Sequence, residues 1–126
     1  MQLPRHLALA GFSVALGGCA LLGFGPPTGI IEGNVFFAES GTPVPHAEVC
    51  LFGMDTTCVR ADPGGDYRVR VTEQTVVLRF RSGQLPPGGS DSVRVTVGSR
   101  SRVDCGLTQR LVISDRPLPC QPRPTR

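Results

Sequence analysis

The residues able to do chemistry are few. Beyond His6 near the amino terminus, the chain holds one histidine, His46, one tyrosine, Tyr67, and no tryptophan. A Ser/His/Asp site would have to use His46 as its base, since a serine is a weak nucleophile without one. The sequence sets His46 in the Pro43–Glu48 segment, beside a turn and on the outward side of a predicted strand. No catalytic residue is assigned on that basis. Asp62 and Asp66 flank one turn, where Asp ordinarily accepts from backbone amides. A Ca²⁺ site there would need more oxygen ligands than the segment supplies. The Gly-Gly pairs sit in turns and not at a strand-to-helix phosphate loop. Five cysteines remain: Cys19, Cys50, Cys58, Cys105 and Cys120. They contain no Cys-x-x-Cys and have only His46 to join them after Cys19, so neither a metal centre nor a redox motif is predicted, and no cofactor.

The elements that must position these residues belong to a chain of 126 residues, enough for one domain. Sixteen glycines and twelve prolines, with short apolar alternations, favour strands joined by turns. All thirteen basic side chains outside histidine are Arg, giving a formal net charge of +3. The arginines alternate along predicted strands (Arg68, Arg70; Arg79, Arg81; Arg94) among acids, as on a solvated sheet face. A nucleic-acid surface would need a denser basic patch with stacking aromatics, so nucleic acid is excluded as a partner.

Residues 1–18 read as a signal peptide. Arg5 and His6 form a positive start, Leu7–Leu16 an apolar stretch, and Gly17-Gly18 a small-residue approach to a cut. Leu16-Gly17-Gly18-Cys19 resembles the bacterial lipobox. That resemblance implies a lipid on the Cys19 sulfur, cleavage before Cys19, and acylation of the new amino terminus. Two or more acyl chains hold a protein stably on a membrane. Ala20, in place of Asp, leans toward the outer membrane of the cell envelope. Residues 19–28 then form the lipidated end and a short tether stiffened by Pro26 and Pro27.

Residues 29–115 read as strands. Ile30–Phe37 is the first. Gly41–Pro45 is a turn. Ala47, Val49 and Leu51 alternate inward, Gly53-Met54-Asp55 is a three-residue hairpin loop, and Thr57, Val59 and Ala61 return on the inner face. Asp62-Pro63-Gly64-Gly65 is a turn. Tyr67, Val69 and Val71, then Val76, Leu78 and Phe80, then Val93, Val95 and Val97 give three further inner faces. Leu85–Gly89 is a loop between the last two. Val103, Cys105 and Leu107 make another strand, and Leu111–Ile113 is the last candidate. Residues 116–126 are a Pro/Arg-rich tail, extended unless pinned. The expected fold is all-β: a seven- to eight-stranded antiparallel β-sandwich.

Residues 29–71 resemble the carboxypeptidase regulatory-like domain, a transthyretin-like β-sandwich. The resemblance rests on Gly33-Asn34-Val35, on Gly41-Thr42-Pro43-Val44-Pro45-His46-Ala47-Glu48-Val49-Cys50-Leu51, and on Ala61–Tyr67. The last stretch carries one extra residue and has Ala61 where Thr is usual. The resemblance implies an accessory module without activity of its own. The wider group includes a hydrolase of the urate pathway that uses several histidines and a Tyr-Arg-Gly-Ser motif. Here the single tyrosine is followed by Arg68-Val69, so that activity is not expected.

With Cys19 given to lipid, four cysteines remain in an exported chain, where disulfides persist. They allow three connectivities. If Gly53-Met54-Asp55 is the hairpin loop, Phe52 faces Thr56 and Cys50 faces Cys58, within the reach of a disulfide. The same register sets Val49 opposite Val59 and Ala47 opposite Ala61. Cys105–Cys120 follows by elimination and would pin the tail to the sandwich.

These readings predict a membrane-anchored envelope lipoprotein whose sandwich is non-catalytic and serves protein binding or structural support. The partners expected are the membrane, through the anchor, and an envelope protein. The alternative is a glycan- or small-ligand-binding module, for which Phe36 or Phe37, Phe52 and Tyr67 are the available aromatic platforms.

Overall fold

The computed structural model describes residues 27–112 and 115–125. The expected signal peptide, Cys19 and most of the expected tether lie outside them. Ten strands follow in chain order: β1 (Thr28–Phe37), β2 (Glu48–Phe52), β3 (Thr56–Arg60), β4 (Asp66–Thr72), β5 (Gln74–Arg81), β6 (Gly88–Gly89), β7 (Val93–Val95), β8 (Arg100–Arg102), β9 (Cys105–Leu107) and β10 (Leu118–Pro119). They form two sheets. In the first, β1 is central, with β4 on one side and β8 and β9 on the other. The second runs β10-β6-β5-β2-β3, with β7 also paired to β5. The fold is an all-β sandwich, as the alternation predicts.

The period of two explains the layers. Along β5 every second residue is buried, and β4 does the same from Tyr67 to Val71. Val76, Leu78 and Phe80 meet Ile31, Val35, Val69 and Val71 in one core with Val49, Leu51, Val95 and Leu107. Fully burying each such side chain contributes about 1.5–3 kcal/mol. The core aromatics are Tyr67 and Phe80, in an edge-to-face contact with centroids 5.8 Å apart.

Several details depart from the sequence reading. The sandwich is not purely antiparallel: β8 and β9 run parallel to β1, and β10 parallel to β6. For β8 and β9 the cause is the turn after β7. Ser99 bonds back to the Thr96 carbonyl, Gly98 takes a φ of 73°, and the chain switches sheets to start β8 beside the start of β1. Val97 therefore sits in an exposed turn and not on an inner face. β8 and β9 keep one register against β1 and are parted only at Val103-Asp104, where the Asp104 carboxylate accepts the Asn34 amide at 2.8 Å. Gly88-Gly89, expected in a loop, pairs with β5 and β10. Leu111 and Val112 form no strand and are exposed; Ile113 lies outside the described residues. Thr57 faces the inner side opposite Leu51, yet is exposed because β3 is the sheet edge.

Candidate functional site

The hairpin register places Cys50 opposite Cys58, Val49 opposite Val59 and Phe52 opposite Thr56, as the three-residue loop requires. Cys50 and Cys58 form a disulfide with Cα atoms 4.0 Å apart, on the outer face of the second sheet. Cys105 and Cys120 form the other, from the core to the tail. Glu48 lies beside the first disulfide, its carboxylate within 4.8 Å of both sulfurs. Because the sulfurs are bonded to each other, this trio offers no thiolates to a metal.

His46 is exposed, with a φ of 56°. Its amide donates to the Asp62 carbonyl, and its own carbonyl accepts from Arg60 at 3.1 Å. It lines an open cleft of about 590 Å³ with Glu48, Arg60, Arg81, Ser82 and Pro87. A serine, a histidine and a carboxylate thus share one hollow. Among the described residues no hydrogen bond joins His46 to Ser82 or to Glu48. Glu48 is instead held by Arg81, whose Nε donates to it at 3.1 Å. That hydrogen bond, reinforced by the charge of Arg81, holds the Glu48 carboxyl below its ordinary value. The nucleophile-to-base contact that acyl transfer needs is not made.

Asp62 and Asp66 are used by their own turn. Asp62 Oδ1 accepts from the amides of Gly64 and Asp66, each at 2.9 Å. Asp66 Oδ1 accepts from Asn34 Nδ2 at 2.8 Å. Gly65, at φ 83°, closes the turn where an added Cβ would lie 2.4 Å from the Val35 carbonyl oxygen. Asp62 is thus engaged by backbone amides and Asp66 by the Asn34 side chain, which leaves the pair short of the ligand set a cation would need. Beside them Tyr67 is buried, and its hydroxyl donates to the Val103 carbonyl. Burial first, and the Asp104 carboxylate second, push its phenol above the ordinary value.

Of the aromatic platforms, Tyr67 is in the core and Phe37 is half-buried. Phe36 faces away from the core but is 1% exposed, because the tail covers it. Phe52 alone among these four is open, at 39%, with the Arg79 guanidinium 5.1 Å from its ring. A flat aromatic face for a sugar ring therefore reduces to Phe52, and Arg79 already occupies it.

The cover over Phe36 is the feature the sequence reading missed. The Cys105–Cys120 disulfide fixes the tail, Gln121 bridges to Gly106, and Arg123 donates to Asn34 Oδ1 at 2.9 Å. Two adjacent aromatics at 36 and 37 were the available signal: a strand alternates, so one of them had to be covered from outside. The same end is tied by Glu39, which accepts from the Thr108 hydroxyl and the Gln109 amide and is held below its ordinary value by them.

What remains open is the sheet edge. β3 pairs with β2 on one side, and no strand among the described residues pairs with its other side. β4, the neighbouring edge of the first sheet, carries Arg68 and Arg70 outward. β3 reads Thr56-Thr57-Cys58-Val59-Arg60, with no proline and no charge before Arg60. Edges are usually guarded by such features, and this one is guarded least where Thr56 to Val59 lie.

No family model matches the chain, and no curated protein matches it. Similar solved structures include catechol 1,2-dioxygenase from Acinetobacter sp. ADP1, at 13% identity, over 77% of this chain and 59% of that one, with a TM-score of 0.57. Two others are a "putative carbohydrate binding protein" from Bacteroides uniformis ATCC 8492 and a DUF3823 family protein from Parabacteroides merdae ATCC 43184. Each is 18% identical; they cover 66% and 67% of this chain, and 42% and 46% of theirs, with TM-scores of 0.49 and 0.47. The chain spans about half the length of these structures. At such identities the likeness is one of fold, and the chain has a β-sandwich fold.

Proposed function

We propose that this chain is an envelope lipoprotein, held to a membrane through Cys19, whose β-sandwich is a non-catalytic module of the carboxypeptidase regulatory-like kind that binds a protein partner. The observation that carries the binding role is the open edge of β3. A partner segment could add there as a further strand, gaining main-chain hydrogen bonds without displacing any part of the sandwich. The Cys50–Cys58 bond supports this by holding β3 to β2, so the edge is presented in one register. The Leu16–Cys19 motif supports the anchor, and the sequence stretch of Glu48–Leu51 with its preceding Pro43-Val44 supports the kinship.

The test is made on the full chain in a Gram-negative host. Intact mass of membrane-extracted protein is compared between wild type and Cys19→Ala, and a photo-crosslinking residue is placed at Thr57 or, as a control, at Val112. The expected results are a wild-type mass starting at Cys19 with acyl chains, and a discrete crosslinked product from position 57 only. Unmodified wild-type protein in the soluble fraction would remove the anchor. Equal or absent crosslinks at both positions would remove the edge as a docking site.

A further inference from the structure

Both ends of the sandwich expose apolar side chains, Leu111 and Val112 at one and Met54 and Val97 at the other; what sets the second end apart is that the chain enters there. Strand directions bring four segments to one end: the start of β1, the Gly53–Asp55 loop, the Thr72–Gln74 turn and the Thr96–Ser99 turn. The tips of two of them are apolar. Met54 is 71% exposed and Val97 57%. Both turns adjoin Gln74: the Met54 amide donates to Gln74 Oε1 at 2.7 Å, and Gln74 pairs with Val95, two residues before Val97. Neither tip is loose. Gln74 is itself buried, and the Thr96–Ser99 turn is closed by Ser99 Oγ on the Thr96 carbonyl at 2.7 Å.

The chain enters the sandwich at this same end. The Glu73 amide donates to the Pro27 carbonyl at 3.1 Å, and the Gly98 amide to the Thr28 carbonyl at 2.9 Å. The first described residues are thus pinned between the turns before β5 and β8, beside both tips. Cys19 precedes Pro27 by a stretch that, fully extended, reaches only about 30 Å at ~3.3–3.6 Å per residue.

We propose that this end docks on the lipid surface, with Met54 and Val97 inserted at the boundary between headgroups and acyl chains. The inference rests on the anchor reading above. Two apolar side chains are weak alone, but a short tether makes their contact intramolecular, at an effective concentration of the order of mM. The charges near the tips are mixed: Arg70, Arg94 and Arg100 lie toward this end with Asp55 and Glu73, and Arg100 pairs with Glu32 at 3.3 Å. The tether therefore selects this end, and the apolar tips, not net charge, make the contact. Docked in this way, the sandwich stands on end, with β3 running away from the bilayer and its edge open to a partner.

The chain has no tryptophan, so an introduced one reports its own position. Full-length, membrane-extracted Met54→Trp, Val97→Trp and Leu111→Trp proteins are reconstituted into phosphatidylethanolamine–phosphatidylglycerol vesicles with brominated acyl chains; Leu111 marks the opposite end. Flotation with the vesicles reads the anchor, with Cys19→Ala as its control. Loss of fluorescence at positions 54 and 97, and none at 111, is the expected result. Proteins that float but show no quenching at 54 and 97, or equal quenching at all three, overturn the docking and leave the anchor standing. Wild-type protein that fails to float overturns both.

Discussion

Arg123 lies over the ring of Phe36, its guanidinium carbon 4.3 Å from the ring centroid, while its Nη2 donates to Asn34 Oδ1 at 2.9 Å. The contact joins the last part of the tail to the outer face of β1. It gives Phe36 a covered position on a face that otherwise meets water.

Removing that side chain exposes the ring and leaves the Asn34 oxygen without its donor. Arg123→Ala is expected to cost about 1–2 kcal/mol, from a cation–π contact and one charge-assisted hydrogen bond. Arg123→Lys should recover less than half, because an ammonium cannot stack flat and reach Asn34 together. Urea midpoints of the three proteins decide it; an Ala variant as stable as wild type would show that the tail's cover contributes nothing.

The tail is also held covalently. Cys105 and Cys120 are 15 positions apart, so losing their bond is expected to cost about 3 kcal/mol in the chain-entropy account. Cys50–Cys58 spans 8 positions and is expected to cost slightly less, about 2.5 kcal/mol. Paired Cys→Ala substitutions at each bridge, followed by thermal unfolding, test the order. A larger loss at Cys50–Cys58 would contradict it.

The single tyrosine gives a clean optical probe. Burial keeps the Tyr67 phenol neutral above its ordinary pKa of about 10. The folded state then retains a proton that the unfolded chain releases. Stability is complete below about pH 10 and falls as pH rises beyond it. Absorbance of phenolate should appear only together with unfolding. Tyr67→Phe should flatten the alkaline loss while lowering stability at neutral pH, since the Val103 carbonyl loses its donor. A phenolate signal that precedes unfolding would refute the burial argument.

At Gly33 an added Cβ would lie 1.9 Å from the Val103 carbonyl oxygen, the atom that Tyr67 bonds. Gly33→Ala must therefore move the β8–β9 junction or break that bond. A loss of about 2–4 kcal/mol is expected, in the range of a strained core substitution. The partner variant Asn34→Ala distinguishes crowding from polar loss: it adds no atoms near Val103 but frees Asp66 and Arg123. Equal stability of Gly33→Ala and wild type, by calorimetry, would mean the junction yields freely.

The sequence by itself determined the layers and one staple. Alternation in Tyr67–Val71 and Val76–Phe80 admits one buried face per strand. The Gly53–Asp55 loop admits one register, and that register alone brings Cys50 to Cys58. The Asp62–Asp66 turn was legible for the same reason, since its bonds are local. What tertiary structure decided depends on contacts far apart in the chain. The parallel course of β8 and β9 follows from a sheet switch at Thr96–Ser99, which no local pattern encodes. The exposure of Thr57 follows from β3 being an edge, and edge position is a property of the sheet and not of the strand. The burial of Phe36 required Arg123, 87 residues away in sequence, to arrive over it, and the Cys105–Cys120 bridge with the Gln121–Gly106 pairing brings it there. Local periodicity fixes which way a side chain points; what it meets there is set by the packing of distant segments.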